Sequence, residues 1–319
     1  MYGAIIGDIV GSKYEFRPIK TKDFPFVSKG CEFTDDTVMT VAVARALMEW
    51  RDQYISSLDA FKEILAAEMQ DMGRRFPDAG YGGRFAVWLE SPDPRPYNSY
   101  GNGSAMRVSP CGLYAYTIGE ALELAKASAE VTHNHPEGVK GAQAVAACIF
   151  LAKAGKTRGE IRAFVKDNFY ELPASLNAIR PDYDFDVTCQ GSVPQAIQCF
   201  LESDSYEDAV RNAVSLGGDS DTQAAIAGSI AWAYYRPYGE WLRREGTDDY
   251  DVVIRVDEDC VGPYEETGKK KLGWPAWCDE LVEGYDIDAM LPEEFLATID
   301  EFEECVAQHM AYGHRLSGF

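Results

Sequence analysis

Two short acidic stretches carry the residue types best suited to chemistry. Residues 217–222 (GGDSDT) precede an apolar run over 223–235, and residues 32–37 (EFTDDT) precede another over 38–50. Each stretch places carboxylates and hydroxyls where the first turn of a helix leaves backbone N–H groups unpaired. Taken alone, either stretch is explained as an N-cap, because Asp, Ser and Thr are preferred capping residues.

Together, the two stretches hold more oxygen ligands than capping requires. One cap needs one acceptor, whereas these turns contain Asp35, Asp36, Asp219 and Asp221. If the two helix starts face each other, the four carboxylates converge and repel one another unless cations neutralise them. Oxygen-only ligands favour a hard ion, Mg²⁺, Mn²⁺ or Ca²⁺, over zinc. The sequence therefore predicts a divalent-cation site shared by the two turns.

A third candidate is the glycine-rich run over residues 99–107 (SYGNGSAMR). Backbone N–H groups of such a run can surround an anionic group. A plain turn at the entry to a helix is an equally good interpretation, given the turn preferences of Gly and Asn. The run matches neither the P-loop, since no GK[ST] follows, nor the GxGxxG fingerprint.

Two histidines, His133 and His135, lie between predicted helices. Their i, i+2 spacing could serve a transition metal, but only Glu137 offers a nearby acidic partner. A hydrogen-bonding role is therefore favoured over metal binding.

The elements that must position these residues are predicted to be helices. Amphipathic or apolar helical patterns connected by short loops, without alternating strands, predict an all-α fold. They cover residues 38–50, 57–72, 119–133, 141–154, 158–169, 194–201, 206–216, 224–235 and 292–310. Residues 3–11 fit either a buried strand or a tightly packed helix. Residues 73–100 are interpreted as a long loop, and 251–256 as a strand within an inserted surface segment, 243–290.

The composition of the chain disfavours some classes of binding partner. The 319-residue chain has 52 acidic and 30 basic residues, a net charge of −22, so non-specific binding to nucleic acid or an anionic membrane is disfavoured. No stretch of 18 apolar residues and no signal peptide is recognised. Eight singly spaced cysteines predict reduced, packed thiols and hence a cytoplasmic protein.

Five motifs in order resemble the ADP-ribosylglycohydrolase family, which includes the dinitrogenase reductase-activating glycohydrolase. The resemblance covers roughly residues 1–235. It rests on Gly7-Asp8 with Gly11 and Glu15, and on residues 33–37, 101–107, 132–135 and 217–222.

The resemblance implies a compact, all-α orthogonal helical bundle. We expect residues 1–319 to form a single domain of this type, with 243–290, which lies outside the resemblance, as a small irregular or β insertion. It also implies two Mg²⁺ or Mn²⁺ ions and cleavage of the glycosidic bond between ADP-ribose and a modified protein side chain. The implied metal ligands are Thr34, Asp35, Asp36, Asp219, Asp221 and Thr222. The implied substrate-binding residues are Gly82, Ser99, Tyr100, Gly101, Asn102, Gly103, Ser104 and His133. In some members the glutamate at the Glu15 position lies on a mobile flap.

The motifs do not identify the catalytic base or the side chain that carries the ADP-ribose. Asp35, Asp36 or Glu15 could take the proton from an attacking water. The modified side chain could be arginine or serine, with arginine favoured, and a monomer is expected. Two alternatives are a catalytically silent ADP-ribose-binding or structural protein of the same fold and, from the DxD in residues 219–221, a Mg²⁺-dependent phosphatase. The phosphatase would require a βαβ pattern that the sequence lacks.

Overall fold

Helix α13 (Ser220–Tyr235) runs through the centre of the fold. Every residue from Ser220 to Ala233 is buried, and the helix contacts α1, α8, α11 and α12. A helix that is apolar nearly all round must be enclosed on all sides, as the sequence predicted. The acidic residues at its start are therefore held inside the protein.

The computed structural model describes residues 1–53, 57–236, 242–243, 250–251 and 276–316. In these residues the fold is all-α, as predicted, apart from a two-residue antiparallel pair, β1 (Leu242–Arg243) with β2 (Tyr250–Asp251). The remaining helices are α1 (Tyr2–Ser12), α2 (Asp35–Asp52), α3 (Leu58–Arg75), α4 (Gly83–Leu89), α5 (Gly103–Met106), α6 (Ser109–Tyr114), α7 (Ile118–Glu130), α8 (Pro136–Lys153), α9 (Arg158–Asn168), α10 (Leu176–Ile179), α11 (Cys189–Leu201), α12 (Tyr206–Val214), α14 (Ala276–Gly284) and α15 (Glu293–Leu316).

The ambiguous N-terminal segment is a helix, α1, packed directly on α13. Gly3, Gly7 and Gly11 lie one turn apart on one face. A Cβ on Gly7 would overlap the carbonyl of Ala224, and one on Gly11 would lie 2.5 Å from the Cα of Asp221. Glycine at these positions lets the two helix backbones touch. The contact holds the end of α1 beside the start of α13.

Several helices differ from the sequence prediction. The loop predicted over residues 73–100 contains α4, and helices α5, α6, α10 and α14 were also missed. Helix α11 begins at Cys189 rather than Pro194, because Thr188 caps it by accepting from the N–H of Gly191. Pro194 therefore lies inside the helix, where the prediction placed its start.

The C-terminal helix docks as predicted. Phe295, Ile299 and Phe302 are fully buried on one face of α15. Cys278 and Ile287, from α14 and the 3-10 turn Ile287–Met290, belong to the same hydrophobic cluster. Most of the predicted insertion, and residues 252–256 of the predicted strand, lie outside the described residues.

The cysteines of the described residues are buried, and none of them is joined to another by a disulfide. They are Cys31, Cys111, Cys148, Cys189, Cys199, Cys278 and Cys305. Within the described ranges, none of the helices combines the length and the low polarity that a bilayer-spanning segment needs.

Candidate active site

The start of α2 is organised by a buried aspartate from α1. Asp8 is fully buried, and its carboxylate accepts from the backbone N–H groups of Thr34 and Thr37, at 2.9 and 3.1 Å, and from their hydroxyls, at 2.7 and 2.5 Å. Burial raises the pKa of Asp8 to about 6, although these hydrogen bonds oppose the rise. Asp8 thus fixes the turn that presents Asp35 and Asp36.

The start of α13 meets the start of α2. The hydroxyl of Thr222 donates to Oδ2 of Asp36 at 3.1 Å, across 186 residues of chain. Oδ1 of Asp36 has no hydrogen-bond partner among the described residues. The two acidic turns therefore face each other, as the sequence predicts, and one buried carboxylate oxygen at their contact has no hydrogen-bond partner among the described residues.

Glu15, Asp219 and Asp221 form the tightest carboxylate group. One oxygen from each lies within 4.8 Å of the others. Burial first, and then the charge of Asp221, raises the pKa of Glu15 to about 8. Burial raises the pKa of Asp219 to about 6 and that of Asp221 well above its ordinary value. These acids resist ionisation because they are crowded and removed from water.

Asp35 and Asp36 belong to the same electrostatic group but not to that tight trio. Burial, followed by the charges of Asp221 and Asp8, raises the pKa of both well above the usual range. The cluster offers many oxygen ligands, one of which has no hydrogen-bond partner among the described residues, and its carboxylates are destabilised as anions. Such a cluster fits a hard divalent cation.

The glycine-rich run adjoins this acidic cluster. The side-chain amide of Asn102 donates to Asp219 at 2.7 Å, so the run is tied to the start of α13. The N–H of Gly101 donates to Oγ of Ser99, and the N–H of Asn102 donates to the carbonyl of Val187. The donors left for a bound anion are at the start of α5, at Gly103 and Ser104. The hydroxyl of Ser104 is buried and donates to the carbonyl of Gly138.

His133 faces the same run as a neutral imidazole. Arg107 donates to the hydroxyl of Thr132 at 2.8 Å, and that hydroxyl lies 2.6 Å from Nδ1 of His133. This contact allows the tautomer in which the hydroxyl donates to Nδ1 and the imidazole proton lies on Nε2. Burial, then Arg107 and Arg84, lowers the pKa of His133 well below its ordinary value. A Cβ on Gly103 would lie 3.2 Å from Nε2, so this ring nitrogen faces the run.

Gly82 lies in the open, exposed, at the start of α4. A Cβ built there would meet no atom within 4 Å. The neighbouring Gly80 has a positive φ of 96°, and a Cβ on it would lie 3.8 Å from Oδ1 of Asp35. Tyr81 carries a buried hydroxyl with no hydrogen-bond partner among the described residues, and its pKa is raised by burial and by Asp35. This segment forms one wall beside Asp35.

Comparison with known proteins settles the family. Residues 1–239, about three quarters of the chain, match the sequence profile of the ADP-ribosylglycohydrolases. The chain belongs to the ADP-ribosylglycohydrolase family. It is accordingly a hydrolase that acts on ADP-ribosylated substrates.

Relatives of this family member include enzymes from animals and bacteria. It is 27% identical over 342 residues to the ADP-ribosylhydrolase ARH3 of Bos taurus, covering 79% of this chain and 89% of the relative. It is 26% identical over 271 residues to the ADP-ribosylarginine hydrolase Tri1 of Pseudomonas putida (strain GB-1), covering 76% and 72%. A solved structure, an ADP-ribosylglycohydrolase-related protein complex, is 23% identical with a TM-score of 0.54 over 73% of this chain and 84% of that one. At that identity it supports the fold alone.

Several residues that shape this ADP-ribosylglycohydrolase site were not singled out from the sequence. Asp8 was recognised only as part of a motif, and the roles of Thr132 and Arg107 behind His133 were missed. The segment 183–188 was assigned to no element or site, although it lies against Gly218 and Asn102. The density of aspartates in RPDYDFD was a possible signal for that segment.

Proposed function

We propose that the chain is a binuclear-metal-dependent hydrolase that cleaves the glycosidic bond between ADP-ribose and a modified arginine side chain, with serine as the alternative acceptor. The observation that carries the proposal is the meeting of the two acidic turns through Thr222 and Asp36, with Glu15 and Asp221 beside them. Carboxylates at that density stabilise the oxocarbenium-like charge that develops when a ribosyl bond breaks.

The proposed cofactor is two Mg²⁺ or Mn²⁺ ions. Their ligands would be Thr34, Asp35, Asp36, Asp219, Asp221 and Thr222. Bound there, such ions would lower the pKa of a water and hold ribose hydroxyls. Asp8 accepts the hydroxyl proton of Thr34, and the Thr34 oxygen accepts from the N–H of Asp36 at 3.3 Å, which leaves one lone pair of that oxygen for a cation.

Proton transfer is assigned to one of three carboxylates. Asp35, Asp36 and Glu15 all have raised pKa values, so each can take up a proton near neutral pH. Glu15 has a pKa of about 8 and is only half-buried, which places it where a water and the substrate could both reach it.

The diphosphate is proposed to lie along Ser99, Tyr100, Gly101, Asn102, Gly103 and Ser104, with Gly82 leaving room on the opposite wall. His133 supports this because its neutral imidazole places Nε2 beside Gly103, where it can donate to a phosphate oxygen in the tautomer that Thr132 allows. A neutral donor and backbone dipoles let a strongly acidic protein accept an anionic ligand.

The arginine preference is supported by the name of a bacterial relative, the ADP-ribosylarginine hydrolase Tri1. Tri1 and this chain are aligned over 76% of this chain. We also propose that residues 1–319 form one domain with 243–290 as a surface insertion, and that the enzyme acts as a monomer.

The test is a product assay on peptides carrying ADP-ribosyl-arginine and ADP-ribosyl-serine, side by side. Free ADP-ribose should be released from the arginine peptide, EDTA should stop its release, and Mg²⁺ or Mn²⁺ should restore it. Asp35→Ala should be inactive while remaining folded. A catalytically silent protein would bind ADP-ribose but release none from either peptide, and a phosphatase would instead release phosphate from a small ester.

A further inference from the structure

Large apolar side chains that are exposed in the described residues lie on segments that carry or adjoin candidate site residues. They are Phe16, 78% exposed, Val87, 74%, Val187, 49%, Tyr100, 47%, and Phe185, 45%. Phe16 follows Glu15 directly, and Val187 is hydrogen-bonded to Asn102. Of these five, Phe16 and Phe185 are in direct contact with each other, and exposed apolar groups that lie together mark a binding surface.

Two of these side chains form a stacked pair. The ring centroids of Phe16 and Phe185 lie 6.1 Å apart, and the ring planes differ by 29°. Since Phe16 is 78% exposed, most of its ring surface remains available after the contact. The pair joins the end of α1 to the segment 183–188, two parts of the chain about 170 residues apart.

The surroundings of the pair place it at the edge of the acidic cluster. One carboxylate oxygen of Glu15 lies within 4.8 Å of one from Asp221. The segment holding Phe185 is fixed at both ends, because a Cβ on Gly218 would lie 2.5 Å from Cε1 of Tyr183 and because Val187 accepts from the N–H of Asn102 at 2.8 Å. The two rings therefore flank the carboxylates on the Glu15 side, whereas His133 flanks the glycine-rich run.

We propose that Phe16 and Phe185 form an aromatic lip that receives the guanidinium group of the ADP-ribosylated arginine. The inference rests on the proposed function and extends it to the acceptor. A guanidinium is planar and cationic and stacks on aromatic faces, whereas the linkage to serine offers neither a flat face nor a charge. The lip thus favours arginine over serine as the acceptor.

The experiment compares wild type with two double variants, Phe16→Ala with Phe185→Ala, and Phe16→Leu with Phe185→Leu. Leucine keeps apolar surface but has no aromatic face, so the pair of variants separates stacking from simple apolar contact. For each protein, kcat and KM are measured on ADP-ribosyl-arginine and ADP-ribosyl-serine peptides. The Kd of free ADP-ribose is measured by calorimetry, as a readout that the acceptor does not influence.

We expect the alanine pair to raise KM for the arginine peptide about tenfold, with kcat and the Kd of ADP-ribose changed by less than about twofold. The leucine pair should show most of the same loss. Three results would overturn the lip. They are an unchanged KM for the arginine peptide in the alanine pair, a wild-type KM in the leucine pair, and a Kd of free ADP-ribose that rises as much as KM does.

Failure of the lip and failure of the proposed function give different results. A wild-type enzyme that cleaves the arginine peptide, with variants that match it, contradicts the lip alone. A wild-type enzyme that cleaves only the serine peptide contradicts the arginine preference and the lip together. A wild-type protein that releases ADP-ribose from neither peptide contradicts the proposed function itself.

Discussion

Glu15 shows how burial beside like charges changes the behaviour of a single carboxyl group. Its pKa is raised to about 8 by burial and by the charge of Asp221. Without a cation, the folded protein therefore holds a proton on Glu15 between about pH 4.5 and 8, where the unfolded chain has lost it. Stability from this group is present at the acidic end of that range and is lost as the pH rises through the folded pKa.

This linkage gives a prediction for Glu15→Gln. In EDTA at pH 8, the variant should unfold at a Tm higher than that of wild type by about 2–4 °C, because a charge next to Asp221 is removed. The difference should vanish near pH 4.5. Calorimetry of both proteins across that range checks it, with Glu32→Gln, an exposed glutamate, as the control. A Tm difference that is the same at every pH would contradict the electrostatic account.

Asp8 is predicted to be a positioning residue. Asp8→Asn replaces one acceptor oxygen with a donor that faces the donors of Thr34 and Thr37, so the unfolding free energy should fall by about 2 kcal/mol. Urea denaturation measures this loss, and Mn²⁺ titration should show weaker binding to the refolded variant. Asp23→Asn, on an exposed loop, should change neither property. Unaltered Mn²⁺ affinity in Asp8→Asn would mean that the α2 turn keeps its shape unaided.

For single residues, the sequence predicts the local chemistry but not the partners that lie far along the chain. The acids and hydroxyls of the two turns are recognisable because a helix start has the same needs in every fold. The bond from Asn102 to Asp219 spans 117 residues, and no local pattern encodes it. The tautomer of His133 likewise depends on Arg107, which lies behind it in space.

At the level of elements, the contact between α1 and α13 sets the geometry of the site. Helix α1 carries Asp8 and leads into Glu15, while α13 begins at the acidic turn that contains Asp221. Glycines on α1 allow the two backbones to touch, so both sets of carboxylates converge. The glycine spacing was visible in the sequence, but it could not by itself distinguish a helix from a strand, because the decisive neighbour, α13, lies more than 200 residues away along the chain.

Gly7→Ala tests this contact. The added methyl group would overlap the carbonyl of Ala224, so α1 must shift away, with a loss of about 1–3 kcal/mol of stability and a larger proportional loss of activity. Gly159→Ala, on an open face of α9, is the matched control and should be neutral or slightly stabilising. Denaturation and ADP-ribose release measure the two effects. Full activity in Gly7→Ala would show that the helix crossing does not position the carboxylates.

At the level of the whole molecule, one ion-pair group joins the N-terminus, the end of α13 and the C-terminal helix. Glu303 of α15 lies 2.6 Å from the α-amino group of Met1 and 2.7 Å from Arg236. Burial would raise the pKa of Glu303, but Arg236 and the amino group outweigh it and lower the pKa to about 2. This carboxylate stabilises the fold above about pH 4.5, and its contribution is lost as the pH falls toward 2.

Glu303→Gln should therefore destabilise the protein at pH 7 by about 3 kcal/mol and flatten its stability between pH 4.5 and 2. Denaturant midpoints measured at several pH values check this. Glu304→Gln, a neighbour on the exposed face of α15, is the control. A variant that loses stability on acidification as steeply as wild type would show that other carboxylates dominate that range.

The all-α class and the docking of the C-terminal helix were predictable because both follow from periodicity. The apolar face of α15 repeats at helical spacing, and Phe295, Ile299 and Phe302 are buried as that pattern requires. The short helices α4 and α10 were not predictable, since four to seven residues carry too little periodicity to separate a helix from a turn.

The proposed function depends on the two acidic turns sharing bound cations. The most direct measurement is a Mn²⁺ titration followed by electron paramagnetic resonance on wild type, Asp36→Asn and Asp221→Asn. Asp36 and Asp221 come from different turns. The account predicts tight Mn²⁺ binding to wild type and its loss in both variants. Wild type that binds no Mn²⁺, or a variant in one turn that leaves binding intact, would contradict it.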